Sequence, residues 1–150
     1  MNTIPFVLRD HREQLWRRWA ESLGDDVAAD YRELMSSPLG ERAVRAFVDD
    51  LIAWSQAEEY EAPGQLRQAC ERVAADAAYR MSLGFSAFEL AMALQALRGA
   101  IIDVLLDALV LGELPSFAET LEQVKAADGF IDRLVAAVLT ATSRPPSGGL

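Results

Sequence analysis

Apolar residues recur every three or four positions along nearly the whole chain, the period of helices that bury one face. Six such segments are predicted. The first opens at Pro5, which suits an initial helical turn, and carries Leu8, Leu15, Trp16, Trp19 and Leu23 as far as Gly24. Asp25 caps a short second helix with Val27, Tyr31, Leu34 and Met35. Ser37-Pro38 opens the third, striped by Val44, Phe47, Val48, Leu51 and Trp54. An acidic connector, Glu58-Glu59-Tyr60-Glu61, leads through Pro63-Gly64 to a fourth with Leu66, Cys70, Val73, Ala77 and Met81, closed by Gly84.

Ser86-Ala87-Phe88-Glu89 reads as a capping box, in which serine caps a backbone N–H and glutamate returns to the cap. It opens a long fifth helix to about Leu111, with Leu90, Leu94, Leu97, Ile101, Leu105 and Ala108 on one stripe. Met92, Ile102, Val104, Leu106 and Leu109 spread apolar surface around the rest. Such a helix is central in its domain or shared with a partner. Gly112 and Pro115 mark a turn, and Ser116 to Glu119 repeats the capping pattern. The sixth helix carries Phe117, Leu121, Val124, Ile131, Leu134, Val135 and Val138. Asp128-Gly129 inside it reads as a close packing point or a kink. No segment alternates with period two for long. The expectation is an all-α domain over residues 1–142 and a flexible Pro/Gly/Ser tail or interdomain linker over residues 143–150.

Composition narrows the function classes. The 150 residues suit one domain, and the charge of −9 with a pI near 4.6 argues against non-specific nucleic-acid binding and against docking on anionic lipid. A single cysteine gives no internal disulfide. The opening MNTIPFVLRDHREQLW lacks the basic and apolar regions of a secretion signal. The most apolar stretch, Leu90 to Leu111, is interrupted by Gln95, Arg98, Asp103 and Asp107, which is poor material for a membrane span. A cytoplasmic location is expected.

Candidates for chemistry are few. His11, the only imidazole, is either a haem ligand or base, or a half-buried histidine held by a neighbour such as Asp10 or Glu13. Asp103 and Asp107 share a helix face, but the chain has no second histidine to complete a di-metal bundle site. Cys70 falls on an apolar stripe, where thiols are usually inert. With no nucleophile–base pair and no phosphate loop, the chain does not read as an enzyme. Arg98 stands on an almost wholly apolar helix. It reads as a salt bridge to an acid on the first or sixth helix, or as the anchor for an acidic ligand at an apolar pocket of Leu94, Leu97 and Ile101. Trp16 and Trp19 on the first helix, with Val135, Val138 and Leu139 on the sixth, look like surplus apolar surface for a homodimer interface.

Tyr79-Arg80-Met81-Ser82-Leu83-Gly84-Phe85-Ser86, followed by an apolar helix containing Leu97-Arg98, resembles the N-terminal sensor domain of stressosome RsbR-type co-antagonists and of some bacterial sensor histidine kinases. Leu8 and Trp16 on the first helix and the polar tail agree with the resemblance. Some relatives carry a histidine four residues before the arginine; Asp76 stands there in this chain. The resemblance implies a globin-like fold without haem or other cofactor, dimers whose terminal helices share the interface, and a regulatory input role. A kinase or STAS output domain, or a partner protein, would read the signal. The expected function is therefore a signal-input and dimerisation module binding a small apolar or acidic ligand. The alternatives are a purely structural dimerisation domain, or a haem- or metal-binding protein using His11.

Overall fold

The structure, a computed structural model, describes residues 4–23, 29–114 and 116–143, with side chains as far as residue 140. Seven helices account for almost all of the described residues, which contain no strand. They are α1 (Ile4–Asp10), α2 (Arg12–Ser22), α3 (Ala29–Met35), α4 (Pro38–Gln56), α5 (Ala62–Ser82), α6 (Ala87–Val110) and α7 (Phe117–Ser143). The all-α expectation holds. Among the described residues the helices number seven because the predicted first helix divides at His11.

That division is a kink. His11 leaves helical geometry at φ −109° and ψ 29°, yet its N–H still reaches Val7 O at 3.0 Å and its carbonyl accepts Leu15 N–H at 2.9 Å. Both halves keep their apolar residues inside, with Ile4, Val7 and Leu8 from α1 and Leu15 and Trp19 from α2. Periodicity alone does not register a bend that preserves the stripe.

The punctuation residues act as their chemistry requires. Ser37 accepts the Leu39 N–H ahead of Pro38, and the Ser86–Glu89 capping box is complete in both directions. Ser116 accepts the Glu119 N–H at 3.1 Å. Gly84 and Gly112 end α5 and α6 with φ of 101° and 75°, where a side chain would be strained. Gly40 meets a different need. A Cβ there would lie 1.8 Å from the Met35 carbonyl oxygen, so the α3–α4 corner closes only around glycine. Gly24, Asp25, Val27, Pro115 and the tail after Ser143 lie outside the described residues.

Helix α6 is the axis of the bundle. Leu90, Ala93, Leu94, Leu97, Ala100, Ile101, Val104, Leu105 and Ala108 are all buried, against α2 on one side and α7 on the other. Helix α5 packs chiefly on α7, and α4 closes over α1, α2 and α5. Phe130 of α7 is 1% exposed and holds the α4 contact, stacked on Trp54 at 5.1 Å and tilted against Phe47 at 5.9 Å. Gly129, beside it, is exposed, and an added Cβ would meet nothing within 4 Å. Helix α7 passes through Asp128-Gly129 as one element, so that dipeptide is not a packing point within the protomer.

Candidate functional site

Helices α4 and α5 do not close fully on α6. Between them lies a cavity of about 290 Å³, roughly ten water volumes at ~30 Å³ each. Small residues create the space: Ala43 and Ala46 on α4, Ala69 and Ala77 on α5, and Ala93 on α6 all line it. Leu90, Leu94 and Leu97 of α6 form an apolar floor with Trp19, Leu134 and Val138. Leu39, Arg42 and Ala46 of α4 and Arg72 and Asp76 of α5 are exposed and mark the mouth. Arg72 spans it, with Nε donating to Asp50 Oδ2 at 3.2 Å and Nη2 to Oδ1.

Arg80 provides the charge inside. Its residue exposure is 7%, and a guanidinium so buried needs partners. Nε pairs with Asp76 Oδ2 at 2.9 Å, one helical turn back. Nη1 donates to the Tyr31 hydroxyl at 2.7 Å and to Met35 Sδ at 3.2 Å, and the cation lies 5.6 Å from the Tyr31 ring centre. Phe85 closes on Tyr31 edge-on at 4.9 Å. Burial pushes the Tyr31 phenol above its ordinary value of 10.0, while the charge and hydrogen bond of Arg80 pull it back. Among the described residues Nη2 has no hydrogen-bond partner, which leaves its two N–H groups uncommitted on a cavity-lining cation. The lining carries three arginines (42, 72 and 80) against two aspartates (50 and 76), a net +1 in a chain of −9. Arg42 makes no ion pair with the described residues.

The chain matches no protein-family model, no curated protein and no solved structure.

Of the residues singled out for a ligand, Leu94 and Leu97 line the cavity; Ile101 is buried elsewhere in the core, and Arg98 is not part of the lining. Arg98 instead bonds Asp132 of α7, the salt bridge weighed for it, which joins α6 to the last helix. Its Nε is buried without a partner. The buried cation of the site, Arg80, is marked in the sequence only by the Arg-to-Gly-Phe-Ser motif. Its environment was hidden because Tyr31 and Met35 stand 49 and 45 residues away along the chain.

The expected interface residues are placed differently from the expectation. Trp19, Val135 and Val138 are buried within the protomer, and Trp16 is half-buried. Each tryptophan N–H is spent internally, from Trp16 to the Met35 carbonyl and from Trp19 to the Ala93 carbonyl, both at 2.7 Å. One wide core takes up this surface, and of the five residues only Leu139, 47% exposed, remains outside.

His11 is held by Glu113, with Nε2 and Oε2 2.7 Å apart, a partner 102 positions along the chain in place of the nearby acids considered. Two residues further along that face of α2, Gln14 and Arg18, bond Asp107. Asp107 therefore clamps α2 to α6. No group of three or more His, Cys, Asp or Glu side chains able to hold a metal occurs among the described residues. Cys70 is half-buried with its thiol 3.7 Å from the Arg133 carbonyl; burial raises its pKa, with Arg133 opposing and Glu71 reinforcing the shift. No helix among the described residues is long and apolar enough to cross a membrane.

Proposed function

We propose that the chain is a regulatory signal-input and dimerisation module of a bacterial signalling protein, working without haem, and that its input is a small amphipathic anion held in the α4–α5 cavity. One observation carries this reading: an apolar cavity of about 290 Å³ with a buried arginine in its wall and a net positive lining. Apolar pockets with a few convergent polar groups are the usual form of small-molecule sites. A guanidinium suits a carboxylate, since its fork matches two oxygens. The cavity volume suits a chain of eight or so carbons, by comparison with the water volumes above.

The resemblance adds a direction of signal flow. Arg80, the arginine of the motif, belongs to the cavity, and Leu134 and Val138 of the last helix form part of its floor. A ligand resting on them biases the position of α7, which a kinase or STAS output domain or a partner protein would read. This chain is then a sensor in the cytoplasm and has no catalytic step of its own.

Isothermal titration with octanoate, octan-1-ol and octylamine tests the reading. Octanoate is expected to bind, octan-1-ol to bind at least about tenfold more weakly for want of the charge-assisted hydrogen bond, and octylamine to give no heat. Equal affinity for all three, or heat from none, would remove the ligand and leave the structural dimerisation domain as the better reading.

A further inference from the structure

The cavity between α4 and α5 carries its charge unevenly. Five ionised side chains line it, Arg42, Asp50, Arg72, Asp76 and Arg80. Arg72 gives both Nε and Nη2 to Asp50, whose side chain is only 18% exposed, and Arg80 gives Nε to Asp76. Those four cancel in pairs. The surplus positive charge of the lining therefore rests on Arg42, which is exposed at the mouth and makes no hydrogen bond or ion pair with the described residues.

Two observations place Arg42 level with Arg80. Helices α4 and α5 are joined by residues 57–61 and pack on one another, and the Arg72–Asp50 pair sets their register. Arg42 lies eight residues before Asp50 and Arg80 eight residues after Arg72, so each stands about 12 Å further from the turn at about 1.5 Å per residue. The second observation is Met35. Its carbonyl oxygen lies 1.8 Å from where a Gly40 Cβ would be, and its sulfur accepts from Arg80 Nη1 at 3.2 Å. The start of α4 is thus held against the shell of Arg80. One end of the cavity has a buried guanidinium in its wall, with Nη2 unspent, and a second guanidinium free at its rim.

We propose that this end clamps the carboxylate head of a singly charged amphiphile between Arg80 Nη2 and Arg42, and that Arg42 sets the charge of the ligand the cavity accepts. This rests on the reading of the cavity as a ligand site. Arg80 alone does not neutralise an incoming anion, because Asp76 already offsets its charge. It supplies direction, through the two N–H groups of Nη2. Arg42 supplies the charge. One negative charge on the head makes the lining neutral. Two, as on a phosphate monoester, leave an excess beside Asp76, and enclosing an uncompensated charge is costly. A carboxylate also offers two oxygens, one for each arginine. The tail then lies along Ala43 and Ala46 of α4 and Ala69 and Ala77 of α5, towards the Arg72–Asp50 pair.

Isothermal titration of octanoate, octan-1-ol and octyl phosphate at pH 8, where the phosphate is a dianion, tests the clamp. Native protein is compared with Arg42→Gln, Arg42→Lys and Arg45→Gln. Arg45 is on the same helix, outside the lining and 3.6 Å from Glu41, so its substitution controls for the loss of a positive charge as such. Native protein is expected to bind octanoate at least about fivefold more tightly than octyl phosphate. Arg42→Gln is expected to lose about tenfold in octanoate affinity while octan-1-ol changes by less than about twofold. Arg42→Lys should recover most of that loss, and Arg45→Gln should bind octanoate as the native protein does. Undiminished octanoate binding to Arg42→Gln, a parallel loss of octan-1-ol, or an equal loss in Arg45→Gln overturns the role of Arg42 and leaves the Arg80 cavity standing. Octyl phosphate binding as tightly as octanoate, or more so, overturns the assignment of a single charge. No heat from octanoate with the native protein overturns the clamp and the ligand reading together.

Discussion

Arg80 and Arg98 stand on successive helices, each within an apolar stretch and each paired with one aspartate. Asp76 and Asp132, those partners, are both half or more in solvent, with side chains 51% and 63% exposed. What separates the two arginines is the rest of the shell. Arg98 keeps 24% of its side chain exposed and reaches outward from the flank of α6 to α7. Arg80 keeps 9%, and gains a tyrosine hydroxyl, a thioether sulfur and an aromatic face from α3. Hydrophobic neighbours in sequence therefore do not decide whether a cation is enclosed. Elements arriving from elsewhere in the chain do, and α3 arrives only at Arg80.

The largest effect that sharpens this contrast is expected from Asp76→Ala. It leaves the buried Arg80 guanidinium without its counter-charge. Breaking a buried pair costs about 3–5 kcal/mol, and the solvent already reaching Asp76 puts this case at about 3. A fall in melting temperature of roughly 6–12 °C by calorimetry would match that. No measurable fall would mean that Arg80 is reached by water and is no different from Arg98.

Tyr31→Phe comes next. It removes one hydrogen bond from Arg80 while keeping the ring contacts with Arg80 and Phe85, for a loss of about 1 kcal/mol in chemical denaturation. The same phenol gives a pH test. Its folded pKa is raised above the ordinary 10.0, so its share of stability is whole below pH 10 and is lost as pH rises through the folded value. The denaturation midpoint of the native protein should fall more steeply above pH 10 than that of Tyr31→Phe. Parallel curves would contradict the burial of this hydroxyl.

The smallest effect is expected at the other arginine. Arg98→Met leaves behind an aspartate that is largely in solvent and also removes a buried, unpartnered Nε, so stability should change by less than about 1 kcal/mol in either direction. A loss as large as that of Asp76→Ala would erase the distinction between the two sites.

The helices, their caps and the inward face of α6 were legible in the sequence because each depends on residues within a turn or two of one another. Ser37-Pro38, Gly84 and the Ser86–Glu89 box act through local backbone hydrogen bonds, and these form as read. The site was legible only in part. Leu94 and Leu97 could be found from their stripe, and so could the salt bridge of Arg98. The cavity could not, because it results from alanines on three helices facing one another, and an alanine in a stripe looks like any other core residue. The surplus surface read into Trp16, Trp19, Val135 and Val138 failed for a related reason. A periodic pattern shows which face is apolar and not how wide a core will cover it. Trp19, for one, spends its indole N–H on the Ala93 carbonyl deep in that core.

The central claim is that Arg80 is the charged end of a ligand cavity and that Arg98 is not. Calorimetric titration of octanoate and octan-1-ol into the native protein, Arg80→Met and Arg98→Met addresses it directly. The account predicts native octanoate affinity in Arg98→Met and a loss of about tenfold or more in Arg80→Met. Octan-1-ol should still bind Arg80→Met, which shows that the apolar cavity is intact. Equal weakening of octanoate by both substitutions, or undiminished octanoate binding to Arg80→Met, would contradict it.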